Sequence, residues 1–118
     1  MKKIISLCLL LLTLGQSHGI FAHAVITDYS LKITPIHANR PDKVELSFNS
    51  KIELGLSQVF LVSKGDKHEL LQVSNGSKQG QIIIHIPALE SGDYALRFKV
   101  FAADGHLTED VIHFSVSQ

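Results

Sequence analysis

The sequence predicts an all-β domain, a Greek-key sandwich or barrel of about seven short strands, and three observations carry that prediction. Beyond residue 22 the chain holds several runs in which apolar and polar residues alternate, the pattern of half-buried strands. Clusters of Gly, Pro, Asn, Asp and Ser separate these runs at roughly 8–12-residue spacing. After the first 22 positions no stretch of about ten or more residues shows helical period.

Taken in order, Ala24 to Ile33 is an apolar–polar mixture that reads as a first strand with an irregular continuation. Pro35 and Pro41 bracket a stretch expected to be a loop, Ile36-His37-Ala38-Asn39-Arg40, because proline is excluded from a central strand. Lys43 to Asn49 alternates cleanly, with Val44, Leu46 and Phe48 on one face and Glu45, Ser47 and Asn49 on the other. Ser50 to Ser57 is less regular, with a turn or bulge expected around Gly55. Gln58 to Ser63 is rich in β-formers, and Lys64-Gly65-Asp66 is a hairpin turn into His68 to Val73. Asn75-Gly76 marks the next turn. Gln81 to Ile86 points Ile82, Ile84 and Ile86 inward and Ile83 and His85 outward, and Pro87 ends it. After the turn Glu90-Ser91-Gly92-Asp93, Tyr94, Leu96, Phe98 and Val100 line one face of a long strand. The last strand, Leu107 to Val116, turns Ile112, Phe114 and Val116 inward and Val111, His113 and Ser115 outward.

The first 22 residues read differently. Met1-Lys2-Lys3 is basic, and Ile4 to Leu14 is an apolar run of 11 residues broken by Ser6 and Thr13. A bilayer span needs about 20 residues, so residues 1–22 are expected to be a secretory signal peptide and residues 23–118 one mature domain. Leu7 stands before Cys8 where a lipoprotein signal wants a small residue, so no lipid anchor is expected. Two cuts compete. Cleavage after Ala22 leaves His23 as the first residue but puts Ile20 at the third position back. Cleavage after Ala24 matches the small-x-small preference and discards His23.

Of the 118 residues, 11 are basic and 11 acidic; without Lys2 and Lys3 nine basic residues face 11 acidic ones, a formal charge of −2. That is no electrostatic footprint for nucleic acid or an anionic membrane. The mature part has no cysteine, so it folds without a disulfide, as a chain of about 100 residues can. It has neither thiolate nor thioether, which excludes the soft donors preferred by copper(I). Histidine is plentiful instead. His37 and His68 are expected to be solvated beside turns, and His85 and His113 to lie on outward strand faces, with no pairing between them evident.

Ala102-Ala103-Asp104-Gly105-His106 joins the last two strands and would project a carboxylate and an imidazole from a stiff hairpin. Asp-Gly is a common turn pair on its own account. Imidazole with carboxylate also suits copper(II), zinc or nickel(II). Two donors make a weak site, and a terminal His23 would complete it, because its α-amine and imidazole close a chelate ring on one ion. The reference pKa of an α-amine is near 8, about two units below lysine, so it deprotonates readily for coordination. With Asp104 and His106 this makes three nitrogens and one oxygen, a set suited to tetragonal copper(II), where first-row affinity peaks.

His23-Ala24, the strand Val44-Glu45-Leu46-Ser47-Phe48, Ser91-Gly92-Asp93-Tyr94 and Phe101-Ala102-Ala103-Asp104-Gly105-His106 together resemble the CopC family of periplasmic copper-resistance proteins. The resemblance runs over essentially the whole mature chain, and its distinctive part is the last block together with His23. It implies a cupredoxin-like or immunoglobulin-like Greek-key sandwich that binds one copper(II) per chain through His23, Asp104 and His106, and it favours cleavage after Ala22. Two departures stand out. The mature sequence has no methionine, so the methionine-rich copper(I) site of some relatives is expected to be absent, and Asn49-Ser50 stand where many relatives place an acidic residue.

The function expected is that of a periplasmic, monomeric copper(II)-binding protein that sequesters the ion or passes it on. Its partners would be the copper ion and a membrane copper transporter or other copper-handling protein, with no nucleic acid. The rival is a metal-free, immunoglobulin-like secreted interaction module. No enzyme is expected: the chain is short, lacks tryptophan and an extended substrate surface, and Asp104 would fill a position that copper redox chemistry keeps open.

Overall fold

In the computed structural model, which describes residues 24–32 and 34–118, the alternating runs become strands of two facing sheets. The expected signal peptide, residues 1–22, and His23 lie outside the described residues. In chain order the strands are β1 (Ile26–Tyr29), β2 (Ile36–His37), β3 (Asp42–Phe48), β4 (Gln58–Ser63), β5 (Lys67–Leu70), β6 (Val73–Asn75), β7 (Gln81–Ile86), β8 (Gly92–Phe101) and β9 (Leu107–Ser117). Short 3-10 turns occupy Ser30–Lys32 and Leu54–Leu56. One sheet runs β1-β3-β7-β6 and the other β2-β9-β8-β4-β5. The pairings are antiparallel except that of β2 with β9.

The expected all-β sandwich is therefore the fold, with nine strands among the described residues where the sequence suggested seven. Both additions have a physical cause. The stretch between Pro35 and Pro41, expected as a loop, contains β2, which pairs Ile36 with Val116 and His37 with Ser117 at the outer edge of the five-stranded sheet. Proline bars a central strand but tolerates an edge, and Ile36 is buried in the core. The run expected as one strand, His68 to Val73, divides between the sheets. Leu71 donates its N–H to the Val59 carbonyl at 2.9 Å, whereas the next residue, Gln72, accepts from His85 N–H of the opposite sheet at 2.9 Å. Exposed Leu70 followed by buried Leu71 marks the crossing, where strict alternation fails.

The core lies between the sheets. Val44, Leu46, Phe48, Ile82, Ile84 and Ile86 face Val59, Leu61, Leu96, Phe98, Val100 and Ile112 in one buried cluster. Each such side chain contributes about 1.5–3 kcal/mol relative to exposure. Phe48 and Phe98 meet edge to face across the sheets with ring centroids 6.0 Å apart. Tyr94 stacks on Phe114 and donates its hydroxyl to the Glu90 carbonyl at 2.8 Å. That bond pins the strand to the corner before it, as in immunoglobulin-type sandwiches.

The feature that positions the candidate site is the β8–β9 hairpin, paired without interruption from Gly92 with Val116 to Phe101 with Leu107. Among the described residues these are the two longest strands. A ladder of that length carries its turn on a stiff base. Among the described residues no helix is long and apolar enough to cross a membrane.

Candidate metal centre

At the head of the hairpin the chain reverses in three residues, Ala103 to Gly105. Ala102 N–H donates to the His106 carbonyl at 3.0 Å and Gly105 N–H donates to the Ala102 carbonyl at 2.9 Å. Gly105 has φ of 90°, a conformation that costs an L-residue strain and glycine almost none. The local reason for Asp104-Gly105 is thus a hairpin with a left-handed third position.

Asp104 spends both carboxylate oxygens on His106. Oδ1 accepts the His106 backbone N–H at 3.1 Å, and Oδ2 faces Nδ1 of the ring at 3.0 Å. Both side chains are about half exposed, 42 % for Asp104 and 49 % for His106. The backbone N–H of His106 is the chief cause that holds the Asp104 carboxyl below its ordinary 3.8, reinforced by the bond to the ring and its charge and opposed by burial. The carboxylate is therefore ionised and aimed. The 3.0 Å separation is that of a hydrogen bond between ring and carboxylate.

The turn is braced from behind by residues 51–57. Ala103 N–H donates to the Lys51 carbonyl at 2.9 Å, Glu53 N–H to the Phe101 carbonyl at 2.8 Å, and Ile52 bridges Ala102. Ser57, a buried polar residue, accepts from Phe101 N–H at 3.0 Å and donates to the Glu53 carbonyl at 2.8 Å. The chain also enters the domain here. Ala24 is fully buried, and Val25 exchanges two hydrogen bonds with Asn49, N–H to Oδ1 at 2.8 Å and carbonyl from N–H at 3.0 Å. Among the described residues two buried hydroxyl oxygens, Ser50 Oγ and Thr108 Oγ1, find no hydrogen-bond partner. One precedes Lys51 and the other lies two residues past His106.

The residues expected to bind metal are thus partly assembled. Asp104 and His106 come together; His23 lies outside the described residues, one residue before buried Ala24. Among the described residues no group of three or more His, Cys, Asp or Glu comes together. The other histidines are dispersed. His68 Nε2 pairs with Asp66 Oδ1 at 2.9 Å on the β4–β5 hairpin, and His85 Nε2 meets Ser74 Oγ at 3.1 Å on the four-stranded sheet. His113 stands exposed on β9 of the other sheet, so His85 and His113 form no shared patch. Sequence reasoning passed over Ser57, and it marked Asn49 only as standing where many relatives place an acidic residue, not as a partner of Val25.

Fold and site define a class: a two-sheet β-sandwich that carries a carboxylate–imidazole pair on the head of its longest hairpin. The chain belongs to the CopC family, whose CopC domain matches residues 31–117, a span that includes Asp104 and His106. A search of curated protein sequences finds no match. Among solved structures it is similar to CopC from Methylosinus trichosporium OB3b, with 26% identity, 80% of this chain and 94% of that chain covered, and a TM-score of 0.67. It is similar also to PcoC, a methionine-rich copper resistance protein from Escherichia coli, with 20% identity, 81% and 100% covered, and a TM-score of 0.61. A superoxide reductase (neelaredoxin) from Ignicoccus hospitalis, at 12% identity, 80% and 79% covered and a TM-score of 0.50, shares the fold alone.

Proposed function

We propose that this protein is a periplasmic copper-resistance protein, exported by a cleaved signal peptide, that binds one copper(II) ion per chain and sequesters it or hands it on. His23 supplies its α-amine and imidazole, Asp104 a carboxylate oxygen and His106 a ring nitrogen. The observation that carries this reading is the Asp104–His106 pair, 3.0 Å apart on a braced hairpin. Donors fixed before the ion arrives lose little conformational freedom on binding. Membership of the CopC family and likeness to two proteins described as CopC and a copper resistance protein support copper as the cargo. The protein is monomeric, is not an enzyme, and delivers to a membrane transporter or another copper-handling protein.

Mass spectrometry of the exported protein with and without copper(II) tests the terminus and the stoichiometry together. The expected species begins at His23 and gains one copper. A terminus at Val25 with no copper uptake would favour a metal-free interaction module instead. His106→Ala is expected to weaken copper(II) binding by orders of magnitude, and one residue added before His23 to do the same. Unchanged affinity in either variant would remove that donor from the set.

A further inference from the structure

We propose that Asp110 is a gate on the open edge of β9: by capping the Val111 N–H it blocks antiparallel pairing of β9 with β9 of a second copy, a pairing that would join two molecules through one continuous sheet. The inference does not depend on the copper reading. β9 runs Leu107–Ser117, and β2 covers only Val116 and Ser117 on its outer side. Among the described residues, Leu107 to Ser115 meet no other strand on that side. At about 3.4 Å per residue this is about 30 Å of open backbone. The other edge strands, β1, β2, β5 and β6, are all much shorter.

The phase of this edge follows from its two ends. At the turn Ala102 N–H donates to the His106 carbonyl at 3.0 Å, and at the far end the Ser117 carbonyl accepts Ala38 N–H from the β2 side at 2.6 Å. Alternation between them directs the backbone groups of Thr108, Asp110, Ile112 and Phe114 to β8 and those of Leu107, Glu109, Val111, His113 and Ser115 outward. A second β9 set antiparallel about Val111 places Val111 against its own counterpart, Glu109 against His113 and Leu107 against Ser115. That is an apolar pair on the axis flanked by carboxylate–imidazole pairs, a self-complementary arrangement that fits a second copy. Val111 and Leu107 are each 42 % exposed and available for it.

Asp110 opposes this pairing twice. Its Oδ1 accepts Val111 N–H at 2.8 Å, so the donor at the centre of the edge is already taken. By alternation Asp110 also shares the core-facing side of β9 with buried Ile112. In the paired arrangement its carboxylate would stand directly opposite Ile112 of the second copy, losing water without gaining a partner. Charges pointing inward are a recurrent guard on open edges. The gate also serves the turn. Leu107 follows His106, so pairing would lay Ser115 of the second copy beside the carboxylate–imidazole pair and crowd its approach.

The test is analytical ultracentrifugation of the exported protein and of Asp110→Ala, with amide hydrogen exchange. Wild type is expected to remain a monomer at about 0.1–1 mM, and Asp110→Ala to form a dimer in that range. In the dimer the amides of Leu107, Glu109, His113 and Ser115 are expected to exchange about tenfold more slowly than in wild type. Adding Val111→Pro, which deletes the central N–H and is tolerated at an edge, is expected to return Asp110→Ala to a monomer. Asp110→Ala that stays monomeric throughout, or a dimer that survives Val111→Pro, overturns the gate. So does a wild type that already pairs through β9. Should the double variant not fold, the exchange pattern decides, and a dimer whose slowed amides lie away from β9 overturns the gate.

Discussion

Asp104 does two jobs with one carboxylate: one oxygen closes the turn on the His106 N–H and the other aims the imidazole. The depressed Asp104 carboxyl has a direct consequence. A group held lower in the folded state than in the unfolded one adds stability above its ordinary value, and that stability is lost as pH falls through the lowered value. For so exposed a carboxylate the contribution is small, but the titration itself is visible. In the metal-free protein, carboxyl resonances of Asp104 are expected to titrate below 3.8. In His106→Ala part of that depression is expected to persist, because the backbone N–H, its largest single cause, remains while the ring's contributions are lost. Return to the ordinary value in that variant would transfer the cause to the ring.

The hairpin as an element was legible in advance. Alternation marked β8 and β9, and Asp104-Gly105 is turn chemistry written in adjacent residues. What stiffens the hairpin was not legible, because Ser57 and Phe101 are 44 positions apart. No local pattern distinguishes a serine that braces a distant strand from one in a loop. Ser57→Ala leaves the Phe101 N–H without its partner and is expected to cost about 1–3 kcal/mol, measured by urea unfolding. It is also expected to weaken copper(II) binding, since the brace sits under the donor turn. A variant as stable as wild type would show that Phe101 N–H finds another acceptor.

Across the whole molecule, the two sheets close on a core in which Phe98 is fully buried and meets Phe48 from the other side. Phe98→Ala is expected to destabilise the domain by about 3–5 kcal/mol, through lost transfer energy and the cavity left behind. Thermal unfolding with and without copper(II) measures it. Added copper is expected to restore part of the loss, because a ligand that binds only the folded state stabilises it by mass action. Copper that leaves the melting temperature unmoved would separate the ion from the fold. The two strands that alternation did not mark, β2 and β6, belong to this scale. Each is short, and each exists only because another strand offers it an edge.

By itself the sequence determined the all-β class, most strand positions, the inward faces of β3, β7 and β8, and the turn that carries Asp104 and His106. These are properties of nearest and next-nearest neighbours along the chain, and a period of two or a turn dipeptide is enough to write them. Tertiary structure decided which sheet each strand joins, that Ile36 is core, and that His85 and His113 lie on different sheets. It also decided that residues 49–57 join Val25 to the turn that carries Asp104 and His106. Those facts depend on pairing between residues tens of positions apart, and the free energy that selects them comes from burial between sheets rather than from any local preference.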